Sequence, residues 1–396
     1  MRLKLLLPPV EPDVYREPTA CPYEGCDGSH FKLRQDWPKP LRDTVLTEVV
    51  ARRYECLRCG RTFRVYPIGV SGAQSSARLK GFGVLLYLLG LSYGAVSLAL
   101  EALGHRLSKS AVYYAVQAAG EKVPGLRRDA VCLPVTKSRV VALGADLTSV
   151  KCDGEWLSVG VSVDAQEGIA LTVDIVDNGE AETLKSWVQE IAAAVNAEVL
   201  ISDDADAFKV AADDGGLEHQ VCKSHVRRNT EEWVERMKPQ LAEDADGSLQ
   251  AIGVKPEQAV ADCDDLLRLV RERSRDEHSE ALLEEIHRRY NEAPGPKRGE
   301  AAEKMTLAYR MRLFSLDRWN LWPRLTFYRT WQDEFGEGID GTNNATERAI
   351  GWWVKERYRT MRGYKRRQSV LNVSRLIAWA GSQLKTGGAD LAAVVN

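Results

Sequence analysis

The sequence predicts a multidomain α/β fold, and three observations predict it. Residues 139–176 are β-rich runs joined by short connections, and alternating helix and strand follows them. Residues 226–335 place apolar side chains almost wholly at helical spacing, and a short N-terminal stretch holds two close cysteine pairs. A chain of 396 residues has room for roughly two to four folding units, at least one with a sizeable core.

The formal net charge of −2 speaks against a nucleic-acid partner only as an average. Taken by segment, residues 1–128 carry +8, residues 129–340 carry −17 and residues 341–396 carry +7. Two basic ends flank an acidic middle, and basic clusters are the electrostatic footprint of nucleic-acid binding.

From the N-terminus, residues 1–20 are rich in proline and charge and read as an arm. Only Leu5–Leu7 precede Pro8-Pro9, too short an apolar stretch for a signal peptide, so a cytoplasmic protein is expected. Residues 21–70 form the next unit. Cys21-x4-Cys26 and Cys56-x2-Cys59, separated by about 30 residues with a strand-like segment (44–54) between them, are spaced as two knuckles around one tetrahedral Zn²⁺: a zinc ribbon. His30 in place of Cys26 is a variant of the same site.

Residues 76–125 read as three short helices, over 79–90, 93–103 and from a Ser108 cap to Gly120. That pattern is a helix-turn-helix, with Arg106 and Lys109 as candidate DNA contacts, or else a plain helical bundle. The uncharged run 81–100 is long enough to span a membrane, but its glycines and serines divide it into two halves, and no membrane span is expected.

Residues 135–225 supply strands at 139–146, 155–164 and 168–176, a helix at 182–195, a strand at 197–202, a helix from about 204 and a strand at 219–222. Helices fill 226–335, with Ala259, Cys263, Leu266, Leu267 and Val270 on one face. Residues 336–396 return to helices and a basic tail.

Two carboxylates follow strands directly. Asp146 ends VVALGAD and Asp203 ends EVLISD, with Asp204 and Asp206 as competitors for the second position. Open α/β sheets place their sites at such strand ends. A third, Glu347, lies on the first turns of a helix opened by Thr342-Asn343-Asn344. Converging, the three can hold two Mg²⁺ or Mn²⁺ ions about 4 Å apart, hard cations suited to oxygen ligands. The basic run beside Glu347 offers Lys355, Arg357, Arg359, Arg362, Lys365, Arg366 and Arg367 to phosphates. Trp319, Trp322, Phe327, Tyr328 and Trp331 are core residues or base-stacking groups.

The order Asp146, Asp203, Glu347, with its flanking words, resembles the DDE transposases of bacterial insertion sequences and the related Mutator-like elements. In that pattern Phe208 follows the second Asp at five positions, Cys222-Lys223-Ser224-His225 matches a Cys-x2-His pair, Lys355 follows the Glu by two turns, and Arg362-Gly363-Tyr364-Lys365 closes the motif. The resemblance covers about residues 139–380. It implies an RNase H-like mixed sheet interrupted by a helical insertion at 226–335, catalytic Asp146, Asp203 and Glu347 with two Mg²⁺ (or Mn²⁺) ions, and a Cys222–His225 pair near the site.

It also implies the function: binding of an element's terminal inverted repeats, cleavage of its DNA and transfer to target DNA, by a dimer or higher oligomer associated with the nucleoid. The rivals are a domesticated DNA-binding regulator and a structure-specific nuclease that does not join strands.

Overall fold

The computed structural model describes residues 4–123, 140–176, 181–274, 276–296, 305–336, 338–361, 363–385 and 388–395. It is a mixed α/β fold with several sheets. The central sheet has five strands: β1 (Ala142–Cys152), β2 (Glu155–Asp164), β3 (Ile169–Ile175), β4 (Val199–Ser202) and β5 (Glu218–Val221). Their order is β5-β4-β1-β2-β3, with β1, β4 and β5 parallel and β2 and β3 antiparallel to their neighbours.

Strand period places alternate residues on opposite faces. Val159, Val161 and Val163 of β2 join one apolar cluster, while Gly160 faces the other side, where its missing side chain leaves room for Trp187. Helices Ala181–Val195 and Asp206–Gly215 cover that second face. The first face packs against helix Arg367–Lys385 and the N-terminal helices.

β1 runs on to Cys152 and does not end at Asp146 as the sequence suggested. Past Gly144 it has lost β4 but keeps β2, and its remaining residues alternate between buried (Thr148, Val150, Cys152) and exposed (Ser149, Lys151). Asp146 therefore lies inside a strand, at the point where its parallel neighbour stops.

The expected N-terminal arm is tied down at two places. Lys4–Leu6 pairs in parallel with Gly388–Asp390, and Glu11–Tyr15 pairs with Pro67–Ile68. Phe31–Pro40, Glu48–Cys56 and Thr62–Val65 form a three-stranded antiparallel sheet. Buried Asp43 accepts from Ser76, Arg78 and the amides of Val45 and Leu46, joining this unit to the first helix.

Helices Ala77–Leu88, Tyr93–Ala102 and Lys109–Lys122 each start at a serine N-cap, Ser76, Ser92 and Ser108, whose Oγ accepts the amide three residues on. Such caps contribute about 1 kcal/mol each. Gly90, at φ +110°, breaks the apolar run between the first two, and no helix among the described residues is long and apolar enough to cross a membrane. The third helix packs by Val112, Val116 and Gly120 against Arg367–Lys385; a Cβ at Gly120 would lie 2.2 Å from the Asn372 carbonyl oxygen. These helices thus share one continuous core with the central sheet.

The second large core lies in the helical stretch, in Lys223–Glu243, Pro256–Glu272, Glu277–Tyr290 and Leu307–Phe335. The last of these returns to the sheet. The Gln220 side chain donates to Leu325 O and accepts from Tyr328 N. Trp322 and Trp331 are buried, and Trp319, Phe327 and Tyr328 pack against the same clusters, which makes all five core residues.

Candidate active site and cysteine cluster

The three carboxylates come from one face of the sheet and one helix. On β1, period two places Gly144 and Asp146 on the same face. On β4, Val199 and Ile201 pack with Ala142, and the next residue of that face is Asp203. The parallel register Ile201↔Gly144 carries Asp203 to the level of Asp146. Asp203 Oδ1 accepts the Ala205 amide at 3.1 Å, a local turn bond that holds the carboxylate at the strand end. Asp204 turns elsewhere, pairing with Lys209 Nζ at 2.8 Å and lying 4.0 Å from Arg318, while Asp206 is almost fully exposed.

Glu347 is fixed from both sides of its turn. The Asn343 amide donates to Cys222 Sγ at 3.2 Å, Asn343 Nδ2 donates to Ala145 O at 3.2 Å, and the Lys223 amide donates to Gly341 O at 2.9 Å. These bonds press the segment onto β1, where only glycine fits: a Cβ at Gly144 would lie 2.4 Å from Thr346 Oγ1 and 2.9 Å from Val163 Cγ2. Gly144→Ala is therefore expected to cost about 1–3 kcal/mol of stability. It should also lower activity beyond that loss, because Thr346 directly precedes Glu347; urea unfolding beside DNA cleavage checks both.

The helix Asn344–Ala349 continues through a π-helical stretch, Ile350–Lys355, into Glu356–Met361. Lys355 is near enough for its charge to favour ionised Asp146. Burial first, then the charges of Asp203 and Glu347, push the Asp146 carboxyl up to about 7, against the pull of the Leu147 amide and Lys355. Burial and the like charges of Asp203 and Glu347 disfavour an ionised Asp146, a penalty that a hard divalent cation held by these oxygens would relieve.

The sign of the resulting pH dependence follows. The folded-state value lies above the unfolded one of 3.8, so the stability from protonated Asp146 is fully present below that value and is lost as pH rises to about 7. Mg²⁺ or Mn²⁺ is expected to raise the melting temperature, by more at pH 8 than at pH 5, and Asp146→Asn to abolish that difference. Thermal melting at the two pH values checks it.

Not every basic candidate faces the cleft. Arg357 is buried, its guanidinium 3.7 Å from the Tyr87 ring centre and donating to Leu91 O at 2.7 Å; it clamps two helices and is not presented to a phosphate. Lys355, Lys365, Arg366 and Arg367 are at the surface, as are Arg106 and Lys109 at the start of the third N-terminal helix. Arg362 and the side chain of Arg359 lie outside the described residues. Tyr364 is a buried anchor whose backbone pairs with Lys151 and Asp153, a turn that Gly363 permits at φ +92°.

Sequence reasoning missed Trp352. It is 76% exposed and, with Arg348, Asp340 and Glu167, borders a cleft of about 730 Å³ beside the Glu347 helix. It falls one turn after Arg348 and lines the cleft together with Ala345 and Ala349.

Cys222 and His225 also reach this site. Cys222 is buried at the end of β5, and His225 Nε2 lies 3.5 Å from Glu347 Oε1.

At the other end of the chain, the four sulfurs of Cys21, Cys26, Cys56 and Cys59 lie within 4.8 Å of one another. Cys21–Cys59 and Cys26–Cys56 are 3.8 Å apart, far beyond a disulfide bond. A tetrahedral ion with Zn–S of about 2.3 Å sets its sulfurs about 3.8 Å apart, so the cluster fits zinc. Hydrogen bonds from Arg61, first from its backbone, hold the Cys59 thiol down at about 6, while burial first and then its neighbouring sulfurs push Cys21 up to about 12. His30 instead bonds Ser29.

The mixed sheet thus carries Asp146 inside its central strand and Asp203 just past the end of the parallel neighbour, with Glu347, whose charge Asp146 feels, on a late helix. The model for the transposase IS66 family matches residues 86–361, and the chain belongs to that family. Among solved structures it is similar to the Drosophila P element transposase strand transfer complex, at 10% identity over 80% of this chain and 94% of that one, with a TM-score of 0.42. No curated protein matches the sequence.

Proposed function

We propose that this transposase binds the terminal inverted repeats of its element and catalyses metal-dependent DNA cleavage and strand transfer on an RNase H-like domain. The observation that carries the reading is geometric: the parallel register Ile201↔Gly144 brings Asp203 level with Asp146, and the turn that carries Glu347 packs Thr346 onto Gly144, two residues before Asp146. Asp146, Asp203 and Glu347 would hold the Mg²⁺ or Mn²⁺ ions. Bound there, such ions activate a water or a 3′-hydroxyl and stabilise the leaving oxygen of a phosphodiester.

The chain's own residues do the rest. The stitched turn at 341–347 positions Glu347, and Lys355, Lys365, Arg366 and Arg367 draw the phosphate backbone to the cleft. The cysteine cluster, as a zinc ribbon, and the three capped helices, as a helix-turn-helix exposing Arg106 and Lys109, find the ends. Pairing two ends requires a dimer or higher oligomer, acting on nucleoid DNA in the cytoplasm.

The test is incubation with Mg²⁺ or Mn²⁺ and DNA carrying the inverted repeats that flank the gene. Cleavage at the repeat ends followed by joining is expected. Specific binding with no cleavage would identify a regulator instead, and cleavage with no joining a nuclease.

A further inference from the structure

Cys222, His225 and Glu347 form a second cluster of metal-binding character. One donor atom from each lies within 4.8 Å of the others. The thiol is wholly buried, and its Sγ accepts the Asn343 amide at 3.2 Å. The separation of His225 Nε2 from Glu347 Oε1, 3.5 Å, is too long for a good hydrogen bond. It is close to the separation of about 3.3 Å between N and O ligands around one tetrahedral zinc. The other ring nitrogen, Nδ1, is buried with no hydrogen-bond partner among the described residues. The imidazole is thus held against Glu347 with no protein group satisfying it.

We propose that Cys222, His225 and Glu347 bind a borderline-soft divalent cation, Zn²⁺ or Co²⁺, and that its binding inhibits the enzyme by withdrawing Glu347 from Asp146 and Asp203. Three protein ligands with an open fourth position suffice for zinc. A thiolate and an imidazole select Zn²⁺ or Co²⁺ over Mg²⁺, whereas the Asp146–Asp203 pair is all oxygen. Coordination breaks the Cys222 S–H bond, and the proton passes to solvent. Glu347 is common to both sets, so the soft and hard cations compete for one carboxylate. Metal binding at the cluster stands on its geometry alone; the inhibition rests on the cleavage chemistry proposed above.

Metal-stripped full-length protein is reconstituted with Co²⁺, and the thiolate–cobalt absorption and bound cobalt are measured. Wild type is expected to bind one more Co²⁺ per chain than Cys222→Ser or His225→Asn, the difference carrying a thiolate signature. The His225 variant, at a partly buried position, leaves the test decisive if Cys222→Ser fails to fold. In Mg²⁺-supported cleavage, Zn²⁺ should inhibit wild type at least tenfold, and His225→Asn, scaled to its own zinc-free rate, should need at least tenfold more Zn²⁺. Equal cobalt in wild type and variants overturns the site, and equal zinc sensitivity overturns the inhibition. If Mg²⁺ supports no cleavage at all, the enzymatic reading fails while the cobalt count still decides the site.

Discussion

Asp146→Asn is expected to lower DNA cleavage by about a thousandfold or more while leaving binding to element ends intact. The substitution keeps the shape of the side chain and removes the charge at the centre of the carboxylate group, where positioning and charge neutralisation supply most of the rate. Asp203→Asn and Glu347→Gln should do the same, and the three losses should not add, because the groups act as a unit. Asp204→Asn should stay active, since that carboxylate is spent on Lys209 and lies toward Arg318. Single-turnover cleavage beside a binding assay checks the set. An active Asp146→Asn, or an inactive Asp204→Asn with active Asp203→Asn, would move the site.

Removal of metal from the four-cysteine cluster is expected to unfold residues 21–70 and with them sequence-specific end binding. Apart from the sheet and the Asp43 bonds, this unit has a small apolar core. Leu41, Val49, Ala51 and Tyr54 are its buried hydrophobic residues besides the cysteines, with Val10 added from just before the strand Glu11–Tyr15. A structural zinc contributes about 10–16 kcal/mol of apparent binding free energy to such a unit, more than so few side chains do. Cys56→Ser should reproduce the effect, because Cys56 is wholly buried with its sulfur facing Cys26. One zinc per chain by elemental analysis at this cluster, protease sensitivity confined to the N-terminal unit after chelation, and loss of end binding check it. Unchanged melting and unchanged DNA binding in the metal-free protein would refute it.

Local pattern made much of the architecture legible. The second strand of the central sheet occupies Glu155–Asp164, the β-rich run the sequence marked out, and the three short helices start and end within about two residues of their expected bounds, the third from the expected Ser108 cap. The misreadings share one cause. The central strand β1 extends past its aspartate because it keeps β2 there after losing β4, and its outward polar residues Ser149 and Lys151 look like a turn in the sequence. The arm looked free because Lys4–Leu6 finds its partner at Gly388–Asp390, at the far end of the chain. Arg357 looked like one more surface cation because nothing nearby in sequence announces Tyr87 and the Leu91 carbonyl.

By itself the sequence determined the chemical inventory and its order: two cysteine pairs, two strand-associated aspartates, a late glutamate, and a basic stretch following it. Those features are local, set by residue type, spacing and period. Only the tertiary structure decided which acids feel one another's charge. Asp203 and not Asp204 lies level with Asp146 because strand period and the register Ile201↔Gly144 put it on that face, and Glu347 comes within range of Asp146 where Gly144 leaves space for the turn that carries it. The same packing brought Cys222 and His225 to Glu347. Convergence of groups so far apart depends on sheet register and on one missing Cβ, and neither is written in any short stretch of the chain.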